Sequence, residues 1–345
     1  MKTKRVLWAD GIRIIAIFLI VYVHQLYLLP PLTLNSLWLW TPNLFSLIGI
    51  PLFVMLSGAL LLGKVEPLKV FFGKRVRAVF IPWIFWVGVY SVLEIFFLGT
   101  VITSASEFIR FEYRMFFSRF WFLPMIFGLY FLAPLLRVFL KGADNKLIYY
   151  FLAIWFFVLV LLPAGQLLVN PSYSPNTSLF YYILQYSGLF VLGYLLVKRE
   201  KRRLPNVSWI LVLALSLLAT YFALYLTALG GNLIRTSFAQ IFSPFVLPGI
   251  VAAFMLLYQS LAKRTLADRP GINKLVVLAS KSALGIYLAH ELVQLSLVNM
   301  FPQLNSLFLA IPPVPAMFLR AAFIFLASFA IVLALKKIPL LKHIV

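Results

Sequence analysis

Along the chain, apolar residues run in blocks of about 20, long enough for a helix rising about 1.5 Å per residue to cross a hydrocarbon core. Ten such blocks stand out: near Leu7 to Leu29, Leu37 to Leu62, Val79 to Leu98, Phe120 to Leu140, Leu147 to Val169, Leu179 to Val197, Val207 to Leu229, Phe238 to Leu261, Leu275 to Met300 and Val314 to Leu335. The pattern predicts an all-α polytopic membrane protein of about ten transmembrane helices, one membrane domain over residues 1–345. Lys2, Lys4 and Arg5 precede the first block as they would a signal peptide. That block is too long for a signal core, contains Arg13 and lacks a small-residue cleavage site, so it reads as a retained helix.

The connections alternate in charge. Those carrying Lys64, Lys69, Lys74, Arg75 and Arg77, then Arg137, Lys141 and Lys146, then Lys198 to Arg203, then Lys263, Arg264, Arg269 and Lys274, fall on one side with both ends of the chain. The positive-inside rule makes that side cytoplasmic and predicts N- and C-termini in the cytosol, in a cell inner or cytoplasmic membrane. The opposite connections around Pro30, Asn170 and Pro302 carry no Lys or Arg, and the one near Gly231 carries only Arg235. The exception is the longest outer loop, 100 to 119, with Arg110, Arg114 and Arg119 among Phe108, Phe111, Tyr113, Phe116 and Phe117.

Composition agrees: 63% of residues are hydrophobic and 11% charged, which excludes a soluble globular protein. In a soluble chain the formal net charge of +21 would suggest a nucleic-acid partner. Here 23 of the 30 Lys and Arg lie in the inner set, four outside and three within spans, so the charge reads as topology with no nucleic acid implied. The absence of cysteine removes thiolate chemistry, and three dispersed histidines make poor zinc ligands, so no metal is expected.

Ionisable residues inside spans are costly and mark candidate functional positions. Span one holds Asp10, Arg13 and His24. An offset of eleven positions from Arg13 to His24 puts them within about 20° of one face and about 16 Å apart along the axis. Asp10, three residues before Arg13, can orient the guanidinium. Snorkelling to the two interfaces is the alternative for both. In span nine, Lys281 and His290 fall about 180° apart on a straight helix, which predicts that one is structural. Lys281 suits an anionic ligand from the cytosol, while His290 suits either a helix–helix hydrogen bond or a site. Glu94 sits at the outer end of span three, and Arg320 in the outer third of span ten. Ser57-Gly58 suits a helix contact. The basic run KVFFGKRVRAVFIPW is either a lipid-facing anchor or a cationic mouth for a phosphorylated ligand.

These residues resemble the acyltransferase-3 family, multi-span enzymes that acylate extracytoplasmic glycans from cytosolic acyl-CoA. Arg13 and His24 match its R-x10-H signature within DGIRIIAIFLIVYVH. PLFVMLSGALL is similar to its F-x-x-S-G stretch, FFGKRVRAVFIPWIFW to its basic run ending in Ile-Pro, FWFLPMIFGLYFLAPLL to its W-F-L span, and SALGIYLAHELV to its late S-x-x-x-Y-x-x-H span. The family's R-x-x-R pair is here Lys74-x-x-Arg77, with Ala78 where a second cation often stands. Length and motifs resemble the stand-alone branch acting on enterobacterial common antigen or exopolysaccharides, without an SGNH hydrolase-like domain.

The resemblance implies an O-acetyltransferase using acetyl-CoA and no metal, with a cell-surface or lipid-linked glycan as acceptor and the bilayer as its setting. It leaves oligomeric state and association with glycan-synthesis machinery open. His24 is then the catalytic base, with Arg13 and Asp10. Arg13, Lys74, Arg75, Arg77, Lys281 and Ser57 are candidates for the coenzyme. Arg110, Arg114, Arg119, Trp121, Glu94, His290, Glu291 and Arg320 are candidates for the acceptor, the loop arginines suiting acidic or pyrophosphate-linked glycans. Without the resemblance, a transporter or glycan exporter using Arg13, His24, Lys281 and Glu291 as a coupling relay would fit the same charges.

Overall fold

A computed structural model describes residues 6–41, 43–169, 178–199, 204–230, 241–262, 270–339, 341–342 and 344. Lys2, Lys4, Arg5, Asn170, Lys201, Arg202, Arg203, Arg235, Lys263, Arg264, Arg269 and the predicted start of span eight at Phe238 lie outside the described residues. The principal helices are α1 (Leu7–Val23), α2 (Gly49–Leu61), α3 (Ile81–Phe96), α4 (Ala105–Tyr113), α5 (Phe122–Gly142), α6 (Asn145–Phe156), α7 (Leu179–Tyr194), α8 (Asn206–Gly230), α9 (Val246–Ala262), α10 (Pro270–Lys281), α11 (Ala283–Asn299) and α12 (Pro313–Lys337). Among the described residues, eight helices are long and apolar enough to span a membrane, and α10 with α11 makes a ninth if that bent pair is one span. The predicted eighth span corresponds to the shorter α9, with 17 residues.

Local chemistry fixes where several helices begin. Ser104, Asp144 and Ser178 accept the backbone N–H three residues on, at the starts of α4, α6 and α7. Pro82 and Pro313 stand in the first turns of α3 and α12, where a missing N–H costs nothing.

The first helix is the hub: α1 packs against α2, α9, α10, α11 and α12. Ile12, Ala16, Ile17 and Val21 are fully buried along it. Beside it, α2 and α7 touch backbone to backbone. A Cβ on Gly58 would lie 1.7 Å from the Phe190 carbonyl oxygen, and one on Gly193 would lie 2.0 Å from that of Met55. Small residues permit this approach, so Gly58 is a helix contact.

The predicted single helix of span nine is broken. At Ser282 the chain bends by 68° between α10 and α11. Lys336 of α12 donates to the Lys281 carbonyl at 3.1 Å and to Ser282 Oγ at 2.8 Å, satisfying groups exposed by the break. The expectation that Lys281 and His290 point to opposite sides of a straight helix is therefore corrected.

Charged groups collect at two ends. At the basic end, Arg13, Lys64, Lys198 and Lys281 converge, and both Val6 and Lys336 lie there too. Toward the far end the His24 and His290 rings pair, and beyond them Glu94, Arg119 and Glu291 converge.

Candidate active site

The basic end holds a cavity of about 860 Å³, within the usual range for ligand sites. Arg13, Lys64, Lys198 and Lys281 contribute to its wall, with Asp10 as its one carboxylate among the described residues. Asp10 is buried and occupied. It accepts from Ser280 Oγ at 2.6 Å and from Arg13 Nη1 at 3.3 Å, while the same Arg13 nitrogen donates to Ser280 at 2.7 Å. Asp10 and Ser280 thus aim Arg13 without neutralising the remaining cations. Burial holds the Lys64 ammonium below the usual lysine value.

Arg13 and Lys281 also belong to the wall of a second, deeper chamber of about 310 Å³. Ser57, Ala78, Tyr130, Ser280 and Tyr287 line it too, between the start of α11 and the sides of α2 and α5. Ala78, where the family often has a cation, faces this chamber, while Arg77 is exposed.

The basic run's cations Lys74, Arg75 and Arg77 are not in the described wall of either cavity. Lys74 and Arg75 pair with Glu66 at 2.7 and 3.4 Å, and Arg137 approaches the same carboxylate at 3.5 Å. Arg75 and Arg137 also lie 4.0 and 4.5 Å from the centre of the buried Phe71 ring. Burial pushes the Glu66 carboxyl up, but the Lys74 hydrogen bond and the Arg75 and Lys74 charges outweigh it and hold the group below the usual carboxylate range. This knot anchors the loop that carries Lys64.

Beyond the deeper chamber the Tyr287 ring lies 5.7 Å from the His290 ring, which lies 5.0 Å from that of His24. His24 caps the end of α1, so the helix is continuous from Arg13 to it. His290 is 5% exposed and its Nδ1 donates to the Tyr287 carbonyl, which fixes the ring's orientation. The break at Ser282 thus lets Lys281 meet Arg13 and His290 meet His24.

Next to His290, Glu291 is 3.5 Å from Arg119, whose other nitrogen donates to Glu94 at 2.6 Å. Tyr90 braces this turn, donating to the Leu288 carbonyl at 2.9 Å and accepting the Leu292 N–H at 2.7 Å. Arg114 joins this far-end wall, whereas Arg110 is exposed on α4 outside it. Trp121 packs on Tyr182 at 5.3 Å. Arg320 is fully buried, donates to Gln25 and sits 5.1 Å from the Tyr27 ring centre; its Nε and Nη2 have no partner among the described residues. Gln25 in turn donates to Gln294 at 3.0 Å, so Arg320 ties the end of α1 to α11 and α12.

Sequence reasoning missed Ser280, Tyr90, Lys64 and Lys198. Ser280 had a signal, the polar triplet Ser280-Lys281-Ser282 inside an apolar run. Tyr90 had none.

Fold and site define a polytopic, all-α membrane protein with a cationic cavity at one end and paired imidazoles toward the other. A family model described as an acyltransferase domain matches residues 6–336. Searches of curated proteins and of solved structures found no match. The chain belongs to the acyltransferase-3 family, and is a membrane acyltransferase.

Proposed function

We propose that the protein moves an acyl group, acetyl by resemblance to its family, from cytosolic acyl-CoA to a hydroxyl of a cell-surface or lipid-linked glycan. The basic end faces the cytosol by the positive-inside rule. The observation that carries the reading is the pair of cavities sharing Arg13 and Lys281, followed by the Tyr287, His290 and His24 rings.

The donor set fits a polyanionic coenzyme: among the described residues four cations line the larger cavity, and its carboxylate, Asp10, is already bonded. Arg13, held by Asp10 and Ser280, offers N–H donors suited to phosphate, with Lys64, Lys198 and Lys281 as point charges. When bound, acyl-CoA supplies an activated thioester. Ser57, Tyr130 and Tyr287 in the deeper chamber flank the way from Arg13 to the imidazoles.

His24 acts as general base. It takes the acceptor hydroxyl proton as that oxygen bonds to the acyl carbon, and returns the proton to the sulfur as the carbon–sulfur bond breaks. The competing form has His24 itself carry the acyl group.

The test is incubation of detergent-purified protein with radiolabelled acetyl-CoA and a crude envelope glycan fraction. Label in the glycan supports direct transfer, and label also trapped on protein supports the acyl-His24 form. Absence of label in both, with movement of glycan across vesicles, would establish an exporter instead.

A further inference from the structure

The far-end cavity, about 510 Å³, is walled by Glu94, Thr100, Arg114, Met115, Arg119 and Glu291. Its charges balance, two guanidiniums against two carboxylates. Arg119 is flanked by carboxylates: Nη2 donates to Glu94 Oε1 at 2.6 Å, Nη1 lies 3.5 Å from Glu291 Oε1 with no hydrogen-bond partner among the described residues, and the guanidinium sits 4.9 Å over the Tyr90 ring centre. An anion entering here would sit beside the Glu94 and Glu291 carboxylates, and that like-charge crowding is unfavourable.

The remaining valences describe a different ligand. An ionised carboxylate only accepts, with about four lone-pair sites. Glu94 uses Oε1 for Arg119 and Oε2 for the Thr100 hydroxyl at 3.2 Å, which leaves lone pairs on both oxygens. Glu291 turns one oxygen toward Arg119, and its side chain is 35% exposed. Arg114 adds N–H donors from the opposite chain segment. Unused acceptors interspersed with a few donors match a ring of hydroxyls, each of which donates once and accepts twice.

The cavity is also placed beside the chemistry. Glu291 follows His290 in sequence, and the Tyr90 bonds to Leu288 and Leu292 fix the turn that carries both.

We infer that this cavity binds the acceptor as an uncharged, hydroxyl-rich sugar ring and disfavours a ring bearing a carboxylate or phosphate. The inference rests on the acyl-transfer reading and reverses the expectation that the loop arginines suit acidic or pyrophosphate-linked glycans.

The experiment transfers label from radiolabelled acetyl-CoA to a crude envelope glycan fraction with the wild-type protein in nanodiscs. The product is depolymerised with glycosidases and the labelled sugars are separated by anion exchange. Label that passes through the column unretained is expected; label retained as acidic or phosphorylated sugar overturns the inference while leaving acyl transfer intact. A glycan that takes no label at all defeats acyl transfer, and this inference with it. In parallel, Glu291→Gln should raise KM for the glycan roughly tenfold, leaving KM for acetyl-CoA and kcat within about twofold, since it removes a charge that accepts from ligand hydroxyls. An unchanged glycan KM in that variant also overturns the inference.

Discussion

The two ends of the bundle solve opposite electrostatic problems. At the basic end four cations share a cavity whose single carboxylate, Asp10, is locked onto Arg13 and Ser280. Among the described residues cations outnumber carboxylates there, and a polyanion suits such a cavity. At the far end the arginines are matched by Glu94 and Glu291, and the cavity offers hydrogen-bonding atoms without net charge. The contrast teaches that counting cations misjudges a site until their partners are known. Arg119 and Arg13 are alike in sequence and differ in their surroundings: Arg119 lies between two carboxylates, whereas Arg13 pairs with Asp10 and shares its cavity with three lysines.

Substitutions can break this contrast, beginning with the residue between the two ends. His24→Ala should cost about 10²- to 10⁴-fold in kcat, the span of general-base effects, with acetyl-CoA binding unchanged. A comparable loss of coenzyme binding would assign His24 to the basic end instead. Arg13→Met should raise KM for acetyl-CoA roughly ten- to a hundredfold, as expected for a lost charged hydrogen bond of about 1.5–3 kcal/mol, while KM for the glycan stays put. Ser280→Ala should act in the same direction by several-fold, because it loosens Arg13 without removing it.

Glu66→Gln sharpens the separation between stability and binding. The Glu66 carboxyl is held below its ordinary value when folded, so its stabilisation is complete above the ordinary carboxylate range and is lost as pH falls through the folded value. Wild-type protein should melt above the variant at pH about 7, and the gap should close below pH about 4. Thermal melts across that range check it; a gap that widens toward acid contradicts the ion-pair knot. The smallest effect is expected at Arg110, exposed and outside the far-end wall: Arg110→Ala should leave glycan KM within about twofold.

The bundle was legible because span length and loop charge are one-dimensional signals. The Arg13–His24 relation was legible for the same reason, since one unbroken helix carries both and rotation per residue places them on one stripe. What escaped were consequences of distant partners. The bend at Ser282 has neither proline nor glycine to announce it, and its exposed groups are met by Lys336, more than fifty residues on. The Glu66 knot draws Arg137 from 71 residues away and gives Lys74 and Arg75 a carboxylate partner that the sequence does not announce. Arg119 and Glu94 stand 25 residues apart on separate segments, and their pairing is visible only in the fold.

The central claim is that donor and acceptor enter from opposite ends, with His24 between them. Sealed vesicles with the protein inserted in one known orientation test it directly. Labelled acetyl-CoA supplied on the side of the basic end should label glycan held on the opposite side, and acetyl-CoA supplied on the far side should not. Labelling only when coenzyme and glycan share one compartment would contradict the account.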